Sequence, residues 1–163
     1  MTSKKILWPA IVICAILVAG VAYWLISPFW ISNTVEEALP IVPTSEEMGA
    51  GIITTSTVET VSQGSFTGFD AVHYGSGTAR IITVDDKTYV RFEEDFSVAN
   101  GPDLFVGFGK DGEYSKKSEV GRLKGDKGSQ NYELPNGFDS EKYNEVWIWC
   151  RAFGVPFAKA ELR

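Results

Sequence analysis

The residues best suited to redox or metal chemistry in this 163-residue chain are its single histidine, His73, and its two cysteines, Cys14 and Cys150. Cys14 lies inside an N-terminal apolar run, so Cys150 is the cysteine left to a folded domain. One histidine and one cysteine cannot complete a blue-copper site or a tetrahedral zinc site, and we expect no such metal site. The C-x-x-C-H motif of covalently attached haem does not occur in the sequence. Non-covalent haem needs only one or two axial ligands, so Cys150 and His73 are candidate haem ligands.

The sequence around Cys150 predicts a strand that is covered on both faces. Residues 145–150, Glu-Val-Trp-Ile-Trp-Cys, are apolar or aromatic at every position but the first. Alternation along a strand puts Cys150 on the face of the two aliphatic residues and the two tryptophans on the other face. This position favours a buried cysteine that acts as a small hydrophobic residue. Arg151 follows directly, and a cation near the sulfur favours the thiolate, so a redox role for Cys150 stays open.

Two interpretations also apply to His73. It lies in the sequence His-Tyr-Gly-Ser-Gly, which is typical of a turn in which histidine bonds to nearby backbone. A histidine can equally act as the base that a nucleophilic thiol requires, in this case Cys150. Sequence alone does not place the two side chains together.

The N-terminal apolar run predicts a membrane helix. Residues 6–26 carry no charge, and a helix of that length rises about 30 Å, the thickness of a bilayer core. We therefore predict a transmembrane helix at 6–27. A cleaved signal peptide is the alternative, because Gly20-Val21-Ala22 offers a small-x-small site, but the apolar run continues beyond it.

Charges on the two sides of this run predict its orientation. Lys4 and Lys5 precede it, whereas the first charges after it are Glu36 and Glu37. Positive charge stays on the cytoplasmic side, so we expect a cytoplasmic tail at 1–5. The prediction is a single-pass signal-anchor protein of the cell membrane with an extracytoplasmic C-terminal domain.

The rest of the chain divides into a linker and a domain. Residues 28–63 are acidic, contain prolines and a Thr/Ser-rich run, and sustain no period, which predicts a flexible linker. The net charge of −6 and the lack of a basic cluster exclude nucleic acid as an expected partner.

Residues 64–163 show short β segments separated by turn signals. Strands are predicted near 64–66, 77–84, 87–93, 103–108, 121–123, 131–134, 145–150 and 155–162. Their number and spacing predict an all-β fold, an antiparallel β-sandwich of about 100 residues.

Several motifs occur in this domain in a fixed order. They are Gly64-Ser65-Phe66, His73 with Gly77, Phe96, Gly101-Pro102-Asp103-Leu104, Val120-Gly121-Arg122-Leu123-Lys124-Gly125, Gly128-Ser129-Gln130-Asn131-Tyr132 with Leu134-Pro135, and Val146-Trp147-Ile148-Trp149-Cys150 with Phe153 and Ala160. In order and spacing, the chain from about Gly64 to Leu162 resembles the DM-thirteen (DM13) electron-transfer domain family.

The resemblance implies a β-sandwich-like electron-transfer module rather than a stand-alone enzyme. It also implies that Cys150 works in redox chemistry as a bare thiol or as a haem ligand. Larger relatives carry the module beside haem-binding and b-type cytochrome membrane domains, so a redox partner protein is expected here.

A different class of function is a membrane-tethered binding module without redox chemistry. Either the aromatic face formed by Trp147 and Trp149 or the outer loops would then hold a partner or a glycan.

The membrane prediction has a direct test. Protease added to intact cells should release the C-terminal domain and leave the N-terminal tail intact, because only residues after the helix lie outside. Cleavage of the tail with protection of the domain would show the opposite orientation.

Overall fold

One antiparallel sheet forms most of the fold in this computed structural model, which describes residues 3–26, 32–40, 57–139 and 142–163. The elements are helix α1 (Ser3–Ile26) and strands β1 (Val58–Gly68), β2 (Gly75–Ser76), β3 (Thr78–Val84), β4 (Lys87–Phe92), β5 (Ser97–Val98), β6 (Leu104–Lys110), β7 (Glu113–Ser115), β8 (Gly121–Arg122), β9 (Gln130–Glu133), β10 (Glu145–Cys150) and β11 (Val155–Glu161), with a 3-10 turn at Lys116–Ser118. Nine strands join in the order β7-β6-β10-β11-β1-β3-β4-β9, with β8 also paired to β6, and β2 pairs with β5 separately.

The eight predicted strands are all present, so the antiparallel all-β prediction is confirmed. The sandwich prediction differs from the structure, because the strands form one curled half-barrel sheet instead of two stacked sheets. β1 is the reason: it pairs with β3 over Val58–Ser65 and with β11 over Phe66–Gly68, which joins two sets of strands into one. Glycine is required at position 64, since a side chain there would collide with the Glu161 carbonyl.

The hydrophobic core is built from aromatic and aliphatic side chains on one face of this curled sheet. The ring of Phe66 lies 5.0 Å from that of Phe92 and 5.1 Å from that of Phe96, measured between ring centres. The strands β6 and β10 add fully buried side chains, namely Val106, Phe108, Val146, Ile148 and Cys150. Burial of this apolar surface supplies the main driving force for folding of the domain.

Helix α1 is present over Ser3–Ile26, and most of its large apolar side chains are exposed, among them Trp8, Leu17 and Tyr23. Across the portion of the chain that the structure describes, no helix is both long enough and apolar enough to pass through a bilayer. The transmembrane assignment at 6–27 stays a prediction.

Part of the predicted linker is folded onto the domain. Residues 32–40, which we call the strap, pack beside the segment before β9. The Asn33 carbonyl accepts from the Asp126 amide at 3.0 Å, and the Val35 amide donates to the Lys127 carbonyl at 3.0 Å. At the other end of the predicted linker, β1 begins at Val58. The strap was not recognised because its partners lie about 90 residues away in sequence.

Glu37 fixes the strap by charge. Its carboxylate accepts from Lys124 Nζ at 2.7 and 2.9 Å and from the Asn131 amide at 2.8 Å. Burial raises the pKa of Glu37, but the hydrogen bonds from Lys124 and Asn131 outweigh burial, and the pKa falls below its ordinary 4.5. A lowered folded pKa means that the ionised group stabilises the fold above pH 4.5, and that this stability is lost as pH falls through the folded pKa.

We therefore predict that Glu37→Gln lowers the free energy of unfolding by about 1 kcal/mol at neutral pH, because the ion pair and a charged hydrogen bond are lost. Urea unfolding of the variant and the natural chain should show this difference shrinking as pH falls below 4.5. The exposed neighbour provides the control, and Glu36→Gln should change stability by less than about 0.5 kcal/mol. Equal losses for both variants, or a loss that is independent of pH, would refute the role of Glu37.

Candidate redox site

Cys150 is the last residue of β10 and is fully buried. β10 lies between β6 and β11, where Cys150 is paired with Leu104 on one side and Val155 on the other. Its thiol belongs to the same buried cluster as Val146 and Ile148, as the alternation predicted. The structure thus places Cys150 in the apolar core.

The turn that follows β10 carries the cation next to Cys150 out to the surface. Arg151 stacks on the Phe105 ring, with its guanidinium carbon 3.8 Å from the ring centre, and pairs with Asp103 and Glu119 at 3.4 and 3.6 Å. The turn closes when the Gly154 amide donates to the Cys150 carbonyl at 2.8 Å. The Arg151 charge is therefore engaged by carboxylates on the solvent side, away from the core that holds the thiol.

His73 lies in a tight turn organised by Asp70. One carboxylate oxygen accepts from the amides of Val72 and His73 at 2.8 and 2.6 Å, and the other lies 2.8 Å from His73 Nδ1. The ring hydrogen bond from His73, followed by those two amides, lowers the pKa of Asp70 to about 2. A carboxylate on Nδ1 fixes the ring orientation and leaves Nε2 as the nitrogen for a ligand, as in many metal-binding histidines.

His73 forms part of the wall of an apolar cleft of about 460 Å³. The other lining residues are Ile26, Val72, Asn100, Gly101, Pro102, Phe153, Val155 and Phe157. The imidazole meets the Phe157 ring edge-on, with 4.7 Å between ring centres. Gly101 has no room for a side chain, because a Cβ would press against Phe157 and Leu104.

The structure does not bring His73 and Cys150 into direct polar contact. Within the described ranges, no hydrogen bond or ion pair joins the two residues. Val155 lines the cleft and is the strand partner of Cys150, whereas Cys150 itself is not among the residues that line the cleft. His73 is therefore not placed to act as a base for the Cys150 thiol.

The tryptophan face is covered instead of open. Trp147 is only 3% exposed, and its indole NH donates to the buried Glu145 carboxylate at 3.0 Å. Lys159 Nζ lies 2.6 Å from Glu145, and Tyr114 stacks on the half-buried Trp149 ring at 4.6 Å.

Sequence reasoning missed Glu145, Lys159 and Tyr114. Glu145 has a detectable signal, because it is the single charged residue in an otherwise apolar strand. Gly107 and Gly109 in the facing strand give a second signal, since a side chain at either would displace the Tyr114 or Trp147 ring. In the residues that the structure describes, no three His, Cys, Asp or Glu side chains are arranged to hold a metal ion.

The family model described as electron transfer DM13 matches residues 66–162, from within β1 to the residue after β11. Searches of curated proteins and of solved structures found no match.

The burial of Cys150 generates a prediction about reactivity. In a Cys14→Ala background, where Cys150 is the only thiol, an aromatic disulfide reagent should react with the unfolded chain and not with the folded chain. The physical reason is that the reagent cannot reach a fully buried sulfur. A Cys14→Ala/Cys150→Ala/Ser76→Cys variant is the matched control, and its thiol should react in the folded protein because position 76 lies exposed on the domain. Rapid reaction of folded Cys150 would contradict the burial shown here.

Proposed function

The chain belongs to the electron-transfer DM13 family, and from that membership we propose that its β domain passes single electrons from a redox group bound at the His73 cleft. The observation that carries the proposal is the cleft itself. It presents an imidazole whose Nδ1 is held by Asp70 and whose Nε2 has no hydrogen-bond partner among the described residues, on a wall that is otherwise mostly apolar. Val155, which lines the cleft, is the residue of β11 that pairs with Cys150 of β10.

The cleft suits a flat, apolar, one-electron group, and haem is the group that the donor set fits best. Bound haem supplies exchange of one electron between ferric and ferrous iron. His73 would hold the haem iron, Asp70 would hold the His73 ring in position, and Phe153 and Phe157 would keep water away from the bound group. The lining residues are mostly apolar, as is usual for cofactor sites.

Cys150 has a conditional role in this proposal. Its thiol is fully buried in the core, so it can act as a second ligand or as a redox thiol only when the Arg151–Gly154 turn moves. That turn is exposed at all four residues and is held by the Gly154 and Arg151 amides, which donate to the Cys150 and Asp103 carbonyls. We propose that this opening, rather than the resting conformation, is the state in which Cys150 takes part.

We also propose that α1 anchors the domain at the extracytoplasmic side of the cell membrane. The uncharged run at 6–26 and its exposed apolar side chains support this. Six residue steps separate Ile26 from Ser32 at the start of the strap, and an extended chain covers at most about 20 Å over them. The domain would therefore remain close to the membrane surface, within reach of a membrane-bound redox partner.

The tethered binding module is the second candidate. Its predicted surface, Trp147 and Trp149, is occupied by packing against Tyr114 and Glu145, which leaves less aromatic surface for a partner. A binding function would fall instead on the exposed apolar residues of the loops, Phe69, Val72 and Tyr74 around the His73 turn and Phe153 after β10.

A haemin titration of the purified full chain tests the redox proposal. We predict a haem absorption band that saturates with one haemin per chain and is lost in His73→Phe, because the ligand nitrogen is removed while ring packing is retained. Asp70→Asn should weaken binding by about tenfold, since it removes the group that orients the ring.

Tyr143→Phe is the matched control, because Tyr143 lines a different cleft that contains no histidine. It should leave the titration unchanged. Haemin binding that is equal in the natural chain, His73→Phe and Tyr143→Phe would count against the proposed site.

A further inference from the structure

The outer face of β10 carries an aromatic pair that the cleft does not use. Tyr114 and Trp149 lie parallel, with 4.6 Å between ring centres and 7° between ring planes. Trp147 lies 6.1 Å from Tyr114 and 6.4 Å from Trp149, so three electron-rich rings are grouped on this face. Trp149 is also the residue directly before Cys150, whose side chain lies on the opposite face of the sheet.

A carboxylate is placed to receive the phenolic proton of Tyr114. The Tyr114 hydroxyl donates to Glu119 Oε1 at 3.2 Å, which is within the range for direct proton transfer. Arg151 Nη1 lies 3.6 Å from the other Glu119 oxygen and holds the carboxylate in position. Burial, together with the nearby Glu119, raises the pKa of Tyr114, so the phenol keeps its proton at rest.

Trp149 has the opposite arrangement. Its indole Nε1 is buried, and the described residues provide no hydrogen-bond partner for it. An oxidised Trp149 ring therefore has no neighbouring group to which it can lose its proton. It can exchange an electron with Tyr114 but cannot readily become a neutral radical.

We propose that Tyr114, Trp149 and Glu119 form a redox-active relay on the outer face of the sheet, in which electron and proton leave Tyr114 together. A one-electron oxidant takes an electron from Trp149 and is itself reduced. Tyr114 then donates one of its own electrons to the Trp149 radical cation. The Tyr114 O–H bond breaks, and the proton forms a new O–H bond on Glu119. The products are a neutral tyrosyl radical, a protonated Glu119 and restored Trp149, and return of one electron reverses the step.

The relay depends on the proposed electron-transfer function in one respect, because that function would supply its natural oxidant. It would link the domain surface to β10, the strand that holds Cys150. A partner with a high-potential one-electron centre is the class of molecule that could use it.

Flash oxidation tests the relay without haem. The full chain in mild detergent would be mixed with a ruthenium tris-bipyridine photosensitiser and a sacrificial electron acceptor, and radicals would be followed by transient absorption. We expect a tryptophan radical cation that decays as a neutral tyrosyl radical appears. Tyr114→Phe should lose that tyrosyl signal and prolong the tryptophan radical.

Two further variants separate the electron from the proton. Glu119→Gln keeps a hydrogen-bond acceptor but cannot take the proton as a carboxylate does, so tyrosyl formation should be lost and the tryptophan radical should persist. Trp149→Phe keeps an aromatic ring against Tyr114 and should slow tyrosyl formation.

Tyr89 supplies the matched control. Its hydroxyl also faces a carboxylate, Glu133 at 3.5 Å, but within the described residues it has no stacked ring. Tyr89→Phe should leave the tyrosyl signal unchanged.

The proposal is overturned if Tyr114→Phe retains the natural tyrosyl yield, or if Glu119→Gln forms the radical at the natural rate while remaining folded by circular dichroism. If no tyrosyl radical forms but haemin binding saturates, only the relay is rejected. If the tyrosyl radical forms but haemin does not bind, only the haem site at the His73 cleft is rejected.

Discussion

The position of β10 between β6 and β11 is the constraint on which the rest of this structure depends. A strand with neighbours on both edges has its backbone hydrogen bonds satisfied, and its side chains then alternate between two faces. One face gives Val146, Ile148 and Cys150 to the aliphatic core. The other gives Trp147 and Trp149 to an aromatic cluster that also buries a charged pair, Glu145 and Lys159. Cys150 and the Trp149 ring that stacks on Tyr114 thus lie on the two sides of a single strand.

Burial has opposite effects on these two faces. Around Cys150 it removes water and leaves no nearby charge in polar contact, which suits a cysteine that packs. On the aromatic face, buried polar groups are paired, and the Glu145 carboxylate accepts from Trp147, Lys159 and the Gly112 amide. A buried carboxylate with several donors is stable where an unpaired one is not. The face of Trp147 and Trp149 therefore also carries buried charged groups, whereas the sequence pattern predicted only its aromatic residues.

Much of the fold follows from local sequence patterns, and the rest depends on contacts between distant segments. Alternation and turn residues predicted eight of the eleven strands in the described residues, all but the short β2, β5 and β7, and the inward direction of Cys150. They could not predict that β1 changes partner at Phe66, because that change depends on close backbone approach at Gly64. The strap was assigned to the linker by composition, since Glu37 gains its meaning only from Lys124 and Asn131 far along the chain. In the site, His73 was identified by its type, but its partner Asp70 and the cleft required the fold.

The central claim is that the His73 cleft of this domain holds a one-electron redox group. Voltammetry of the haemin-loaded full chain adsorbed on an electrode tests it most directly. The account predicts a reversible one-electron wave that is absent without haemin and is lost in His73→Phe. A wave that is unchanged in His73→Phe, or no protein-dependent wave at any haemin concentration, would contradict it.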